Sequence, residues 1–580
     1  MLAVPGTDAP TDLTTFTVKA GGQELGAEYG IVSIEIRREV NRVPKASIVL
    51  IDGDASQQTF ATSEEDTLLP GVEVEILGGY SKEEKTLFKG IVTRHRVEVG
   101  PGNRSRLSVE MRDPVFRMTL GRRSRNFVDV TDSDVIEQMV GFNQGLTADI
   151  EATSLQHPQI VQHQVSDWDF IVMRAEMAGL AIVCIDGTVK AAKPAVSGAA
   201  EAAAIFGQGL LSADLELDAE TQLTAVETGA WDMANQELVT AESDDVPTPG
   251  PGDVPGGDLA TAGGIGTALR HPGARDQAML DQWATAAMGR SRRSAVRGRV
   301  KIQGTEKLNP GVLLELGGLG SRFNGLGFVS GVRHRLGRGD WVTEALIGSD
   351  PIPHAERYPV EAPAAGGTIP PVRGLQIGVV AALANDPAGE DRIQIRLPTI
   401  TETDGLLWAR QALLDAGDGR GTSFRPEIGD EIVVGFLDDD PRDPVILGAL
   451  HSSARANPLP GADANDEKAI VTRSGMRIHW DDAQIVATID TPAGNQIVLS
   501  EAESSILVQD QNGNRIEMSA EGIAMESAKD IKLTATGDVK IKGLNVEITA
   551  DASFKASGSG GAEISSSATT TVKGSLVQIN

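Results

Sequence analysis

Asp438, Asp439 and Asp440 stand side by side in LDDDPRDP, and three adjacent carboxylates could hold a divalent cation or serve glycosidic acid–base chemistry. Their context argues for a plainer role: the run lies between two apolar strands, where Asp and Pro make turns. Of the eight histidines the closest pair, His157 and His163, lacks the helical spacing and the neighbouring ligands of a zinc site. The Gly-rich segment DAGDGRGTS, residues 415–423, has no Lys-Ser/Thr ending for a phosphate loop, and GLGSRFNGLG, residues 318–327, lacks dinucleotide-binding spacing; both read as turns. The sole cysteine, Cys184, sits in the apolar run LAIVCID and reads as a buried core thiol, with no second cysteine for a disulfide or thiolate cluster. With no Gly-x-Ser-x-Gly elbow either, the residues predict no catalytic centre, no metal site and no cofactor. The expected molecule is not an enzyme.

The elements around these residues are mostly strands. A chain of 580 residues is too long for one core and implies roughly three to five domains. Few aromatics (4%) and abundant Gly (65 residues) favour repetitive β structure. A formal net charge of -29, without any Lys/Arg-rich block, excludes nucleic acid as a partner and disfavours adsorption to anionic lipid. The start, MLAVPGTDAPTD, does not read as a signal peptide, and no uninterrupted apolar window approaches the ~18 residues of a membrane helix, so synthesis and folding in the cytoplasm are expected.

From Phe16 to about Asp113, runs such as SIEIRREV, KASIVLID and RLSVEMRD predict a first β-barrel or sandwich, residues 1–125. The period turns helical in TDSDVIEQMVGF and VSDWDFIVMRAEMAGL, where Ser166 and Asp169 have capping-box-like spacing, giving a helical α+β insert over 126–205. A second β-barrel is predicted over 206–360, with a flexible Pro/Gly/Asp-rich loop at 244–265 and a helix at about Ala274–Arg293, whose Met279, Trp283 and Met288 could form one face. The two all-β regions look like an internal duplication. Five short strands between 372 and 455 fit an OB-like barrel.

The last stretch, 466–580, differs in kind. Leading apolar residues Ile523, Ile531, Val539, Val546, Phe554, Ile564 and Val572 recur about every eight residues, with Ile497, Ile506 and Ile516 continuing the series less regularly upstream. A strand with two inward side chains buries too little to offset ordering its backbone, at about 1 to 2 kcal/mol per residue. Three chains wound about one axis would solve this, turning Ile523, Ile531, Leu533, Val539, Ile541, Val546 and Ile548 inward as the core of a triangular β-helix. About a dozen octads at roughly 4.8 Å each give a rod on the order of 60 Å. Its end, VKGSLVQIN, would present open edges and apolar cross-section, so a small conical capping protein is expected to dock on Leu576, Val577 and Ile579.

These residues resemble the VgrG-type spike proteins of type VI secretion, extracellular contractile injection systems and phage-tail hub–spike fusions. The most specific stretch is FRPEIGDEIVVGFLDDDPRDPVILGALHSS, residues 424–453, including Pro426, Gly429, Asp430, Pro441, Pro444 and Gly448; TDSDVIEQM, SDWDFIVMRAE, RFNGLGFVSGVRHR and SGMRIHWDD support it. The resemblance implies a mainly β fold: two hub barrels with a small α/β insert, an OB-fold collar and an intertwined trimeric β-helix needle. It implies a homotrimer whose duplicated barrels present six similar surfaces to a sixfold inner tube and baseplate, with a PAAR-like tip protein at the carboxyl end and only transient contact with the target membrane. Such a particle could act outside the producing cell, and within the class the extracellular kind is favoured. The rival reading is a trimeric β-helical tail spike, depolymerase or adhesin; needle strands too short to frame a glycan groove weigh against it.

Overall fold

The computed structural model describes residues 13–101, 104–243, 245–246, 250–400 and 405–579. It divides into two compact units, Met1–Val372 with Asp438–Pro441, and Arg373–Leu437 with Arg442–Asn580.

In the first unit strict alternation sets the strands. Ile34, Ile36 and Arg38 of Ile31–Glu39, Ala46, Ile48 and Leu50 of Lys45–Ile51, and Leu107, Val109 and Met111 of Arg106–Arg112 all point inward. Side chains of period two line one face of a strand, so the three strands share a core with Phe88, Leu87 and Ile76. Fully burying each Ile, Leu or Phe here contributes about 1.5–3 kcal/mol.

The expectation of two separate barrels is corrected. Both all-β regions belong to one 13-stranded sheet, joined where Gly325–Gly337 pairs antiparallel with Ile31–Glu39, from Gly331 opposite Glu39 to Leu336 opposite Ile34. The strand pair Gly325–Gly337 and Asp340–Ile347 feeds two cores at once. Leu336 and Trp341 pack with the first-region residues, while Val329, Val332, Ala345 and Ile347 pack with Val300, Ile302, Leu314 and Leu316. Gly331 is needed at the joint, because a Cβ there would lie 2.8 Å from Leu346 and 2.9 Å from Glu39.

Two helices, Asp132–Gly141 and Asp167–Met177, pack on a separate core with Cys184, Val189 and Ala191. Thr131 and Asp134 close a capping box, and Ser166 accepts from the Asp169 N–H at 3.1 Å. A third helix, Gln277–Arg293, lies on the sheet of Val226–Asp232, Glu237–Ser243 and Thr267–His271. Its buried stripe is Leu280, Ala284 and Met288, at spacing four; Met279 lies beside this stripe, and Trp283 packs at its edge. Its last turn carries Arg290, Arg292 and Arg293, which complement the carbonyl end of the helix dipole.

The segment read as a flexible loop at 244–265 holds local structure. Residues 244 and 247–249 lie outside the described residues. Beyond them Gly256–Ala260 is a helix, the Gly252 N–H donates to Asn324 O at 2.7 Å, and Arg322 pairs with Asp253 at 2.7 Å.

In the second unit Gln376–Ala382, Ile393–Arg396, Leu406–Gln411, Pro444–Ala449 and Glu431–Phe436 close a five-stranded barrel around Val380, Ile395, Leu397, Ile432, Val434 and Ile446. Residues 467–526 continue as a seven-stranded antiparallel meander in which each strand of five residues pairs with the next. Within one copy the pairing over this stretch runs between successive strands of the chain, and the intertwined β-helix expected from residue 466 is a matter for three copies. Residues 527–579 form no helix or strand.

Candidate functional site

The OB residues separate into three places. Pro426, Gly429 and Asp430 share one turn: Gly429, at φ +88°, donates its N–H to Val380 O at 2.8 Å, and the Asp430 carboxylate accepts the Glu427 N–H at 2.9 Å. Arg455 clamps that turn, at 2.8 Å from both Asp430 and Gly429 O. Pro444 and Gly448 sit on a barrel strand opposite Phe436 and Val433. Pro441 ends the acidic turn, where Asp438 and Asp439 take positive φ and the Asp438 carboxylate accepts the Gly366 N–H at 3.1 Å. Backbone satisfaction is what occupies that carboxylate.

The two histidines do not meet in a site. His157 is buried against Asp132 at 3.1 Å, with Arg174 on the other carboxylate oxygen at 2.7 Å, whereas His163 is exposed. Burial pushes the Cys184 thiol well above its usual range, so it is an inert core group.

The feature with functional content is the face of the meander. The second and fourth residues of the strands from Arg477–Asp481 onward point to one side, and the register sets them directly opposite one another. One column runs Ile478, Ile489, Ile497, Val508, Ile516, Met525. Its neighbour runs Trp480, Ala487, Leu499, Ile506, Met518, Ile523. The opposite side carries cross-strand ion pairs, Arg477–Asp490 at 2.7 Å and Arg515–Glu526 at 3.0 Å. No described residue covers the apolar columns: Ile497 is 41% exposed, Leu499 48% and Ile523 71%. So broad an apolar face marks an interaction surface.

The pattern continues past the last strand. Of the expected needle core, Ile531, Leu533, Val539, Ile541, Val546 and Ile548 are each more than half exposed, and only Ile523 stands in a strand. Leu576, Val577 and Ile579 likewise lie on the surface. A single copy of the chain brings none of these residues into a core. Sequence reading missed the two-column face itself, although a signal exists: the turn glycines Gly475, Gly494 and Gly513 take φ of +81°, +95° and +88° and recur every nineteen residues, one per hairpin.

The family described as the Alg8 N-terminal domain matches residues 10–338, more than half of the chain. The chain belongs to that family. Beyond this Alg8-type region, residues 376–451 match the type VI secretion system/phage-baseplate injector OB domain, and these are the residues of the closed barrel. The VgrG-type resemblance holds in this domain. No curated protein matches the chain. Among solved structures it is similar to a tail protein from Neisseria meningitidis MC58, at 16% identity over 60% of this chain and 99% of that one, with a TM-score of 0.44. The E. coli c3393 protein, a type VI secretion component, matches at 12% identity over 78% and 100%, TM-score 0.35. A Francisella PdpA–VgrG complex matches at 9% identity over 90% and 81%, TM-score 0.39. Among the described residues no helix is long and apolar enough to cross a membrane.

Proposed function

We propose that this chain is the spike subunit of a phage-tail-like or type VI-like contractile injection apparatus: three copies form a hub on a sixfold inner tube, an OB collar, and a needle over 466–580 that enters the target envelope without catalysing a reaction. The observation that carries this reading is the uncovered apolar ladder of the meander, continued by a tail whose large apolar side chains all lie exposed. Three copies with these faces turned to a common axis would remove both from water, at about 25 cal/mol per Å² buried. Ile523, Ile531, Leu533, Val539, Ile541, Val546 and Ile548 then point inward, and the terminal Leu576, Val577 and Ile579 form the seat of a PAAR-like tip protein. Baseplate proteins are the partners of the hub.

The test is the native mass and shape of the full chain. A particle of three times 61.0 kDa with a slender threefold shaft in electron micrographs is expected. A stably folded single copy, or a trimer without a shaft, overturns the reading.

A further inference from the structure

A cavity of about 550 Å³ in the first unit carries an excess of positive charge inside a chain of net charge -29. Arg42, Arg290, Arg293, Arg297, Arg299 and Arg357 line it, against the carboxylates of Glu39, Glu176 and Asp350. Six guanidinium groups face three lining carboxylates, and with Arg297 paired to Asp218 and Glu216 outside the lining the balance stays positive.

The acids are largely engaged already. Asp350 pairs with Arg357 at 2.7 Å, and Glu176 accepts from Asn41 at 3.1 Å and from the His354 N–H at 3.0 Å. Arg297 is satisfied by Asp218 and Glu216, and Arg42 lies over the Tyr358 ring at 4.6 Å. The side chains of Arg290, Arg293 and Arg299 make no hydrogen bond or ion pair with a described residue. Burial, then the neighbouring Arg290, pushes the Arg293 guanidinium down to about 10, although Glu176 pulls the other way. Two guanidinium groups three residues apart at the end of one helix thus line the cavity without a hydrogen-bond acceptor among the described residues.

We infer that this cavity binds a compact, multiply charged oxyanion of the diphosphate or tricarboxylate class, held by Arg290 and Arg293 with Arg299 at the rim. Planar guanidinium forks match both oxyanion types. The volume falls in the range of small-molecule sites, roughly 300–1,000 Å³. The apolar walls Phe328, Leu346 and Ile347 limit the site to a compact ligand rather than an extended acidic chain.

Calorimetric titration of the full-chain protein with pyrophosphate and with citrate, at ionic strength fixed with NaCl, tests this. Saturable binding of at least one anion is expected, weakened about tenfold or more in both Arg293→Met and Arg290→Gln, since a charge-assisted hydrogen bond is lost in each. Arg293→Met is also expected to match or exceed the wild-type melting temperature without anion, which separates a binding role from a structural one. No heat beyond the NaCl control, equal affinity in wild type and both variants, or binding of an Asp hexapeptide in place of both small anions overturns the assignment.

Discussion

His334 shows what burial does to a titratable group in this fold. It is enclosed between strands with Nδ1 3.0 Å from the Thr343 hydroxyl, and burial, then the charge of Arg38, lowers it to about 3 from an ordinary value of 6.5. The folded state therefore refuses a proton that the unfolded chain accepts. As pH falls from about 6.5 towards 3 the unfolded state binds more protons, and stability drops by up to about 1.4 kcal/mol per pH unit from this group. His334→Gln is expected to flatten that part of the profile, checked by thermal melts of both proteins between about pH 7 and 4; parallel curves would assign the acid sensitivity elsewhere. Ile531 and Val539 carry a second prediction at this scale. In the proposed needle, Val539→Asp or Ile531→Asp gathers three carboxylates on the axis, each buried without a partner, at a total cost above about 3 kcal/mol. Trimer assembly is expected to fail, as read by native mass and melting temperature, and a variant trimer of normal stability would show that these side chains do not point inward.

Among the elements, the ones legible in the sequence are those governed by neighbours in the chain. The cap at Ser166, the alternation of Ile31–Glu39 and the five short barrel strands are all local patterns, and each is present. The joint between Glu39 and Gly331 is not local, since a strand's register with a partner almost 300 residues away depends on how two cores fit together rather than on either strand's period. Strand periodicity alone therefore suggests two barrels where one sheet exists. The same holds for the cationic cavity: Arg42 lies far along the chain from Arg290, Arg293 and Arg299, and together they form no motif. In the meander the difference is one of rhythm. The octads beyond Ile523 do not extend upstream, where the recurring Gly475, Gly494 and Gly513 mark hairpins of a different length.

On the scale of the whole molecule, the apolar faces of the second unit demand company and its terminus is the proposed seat of a cap. Truncation from Lys573 removes Leu576, Val577 and Ile579 while leaving the upstream repeat intact. The expected result is a trimer of unchanged assembly that no longer retains a PAAR-like tip protein in pull-down, with affinity reduced at least about a hundredfold, as loss of a central apolar anchor of ~3 kcal/mol implies. Retention at full affinity would move the docking site elsewhere.

The hairpin spacing of the meander also sets a ruler. Because one unit of nineteen residues contains two strands and both their turns, removing or adding a whole unit keeps every apolar side chain on its side of the sheet. This section of the molecule can therefore lengthen or shorten in quanta of two rungs, roughly 10 Å each, and its reach can be tuned by recombination between like hairpins without redesigning the barrel before it or the tail after it.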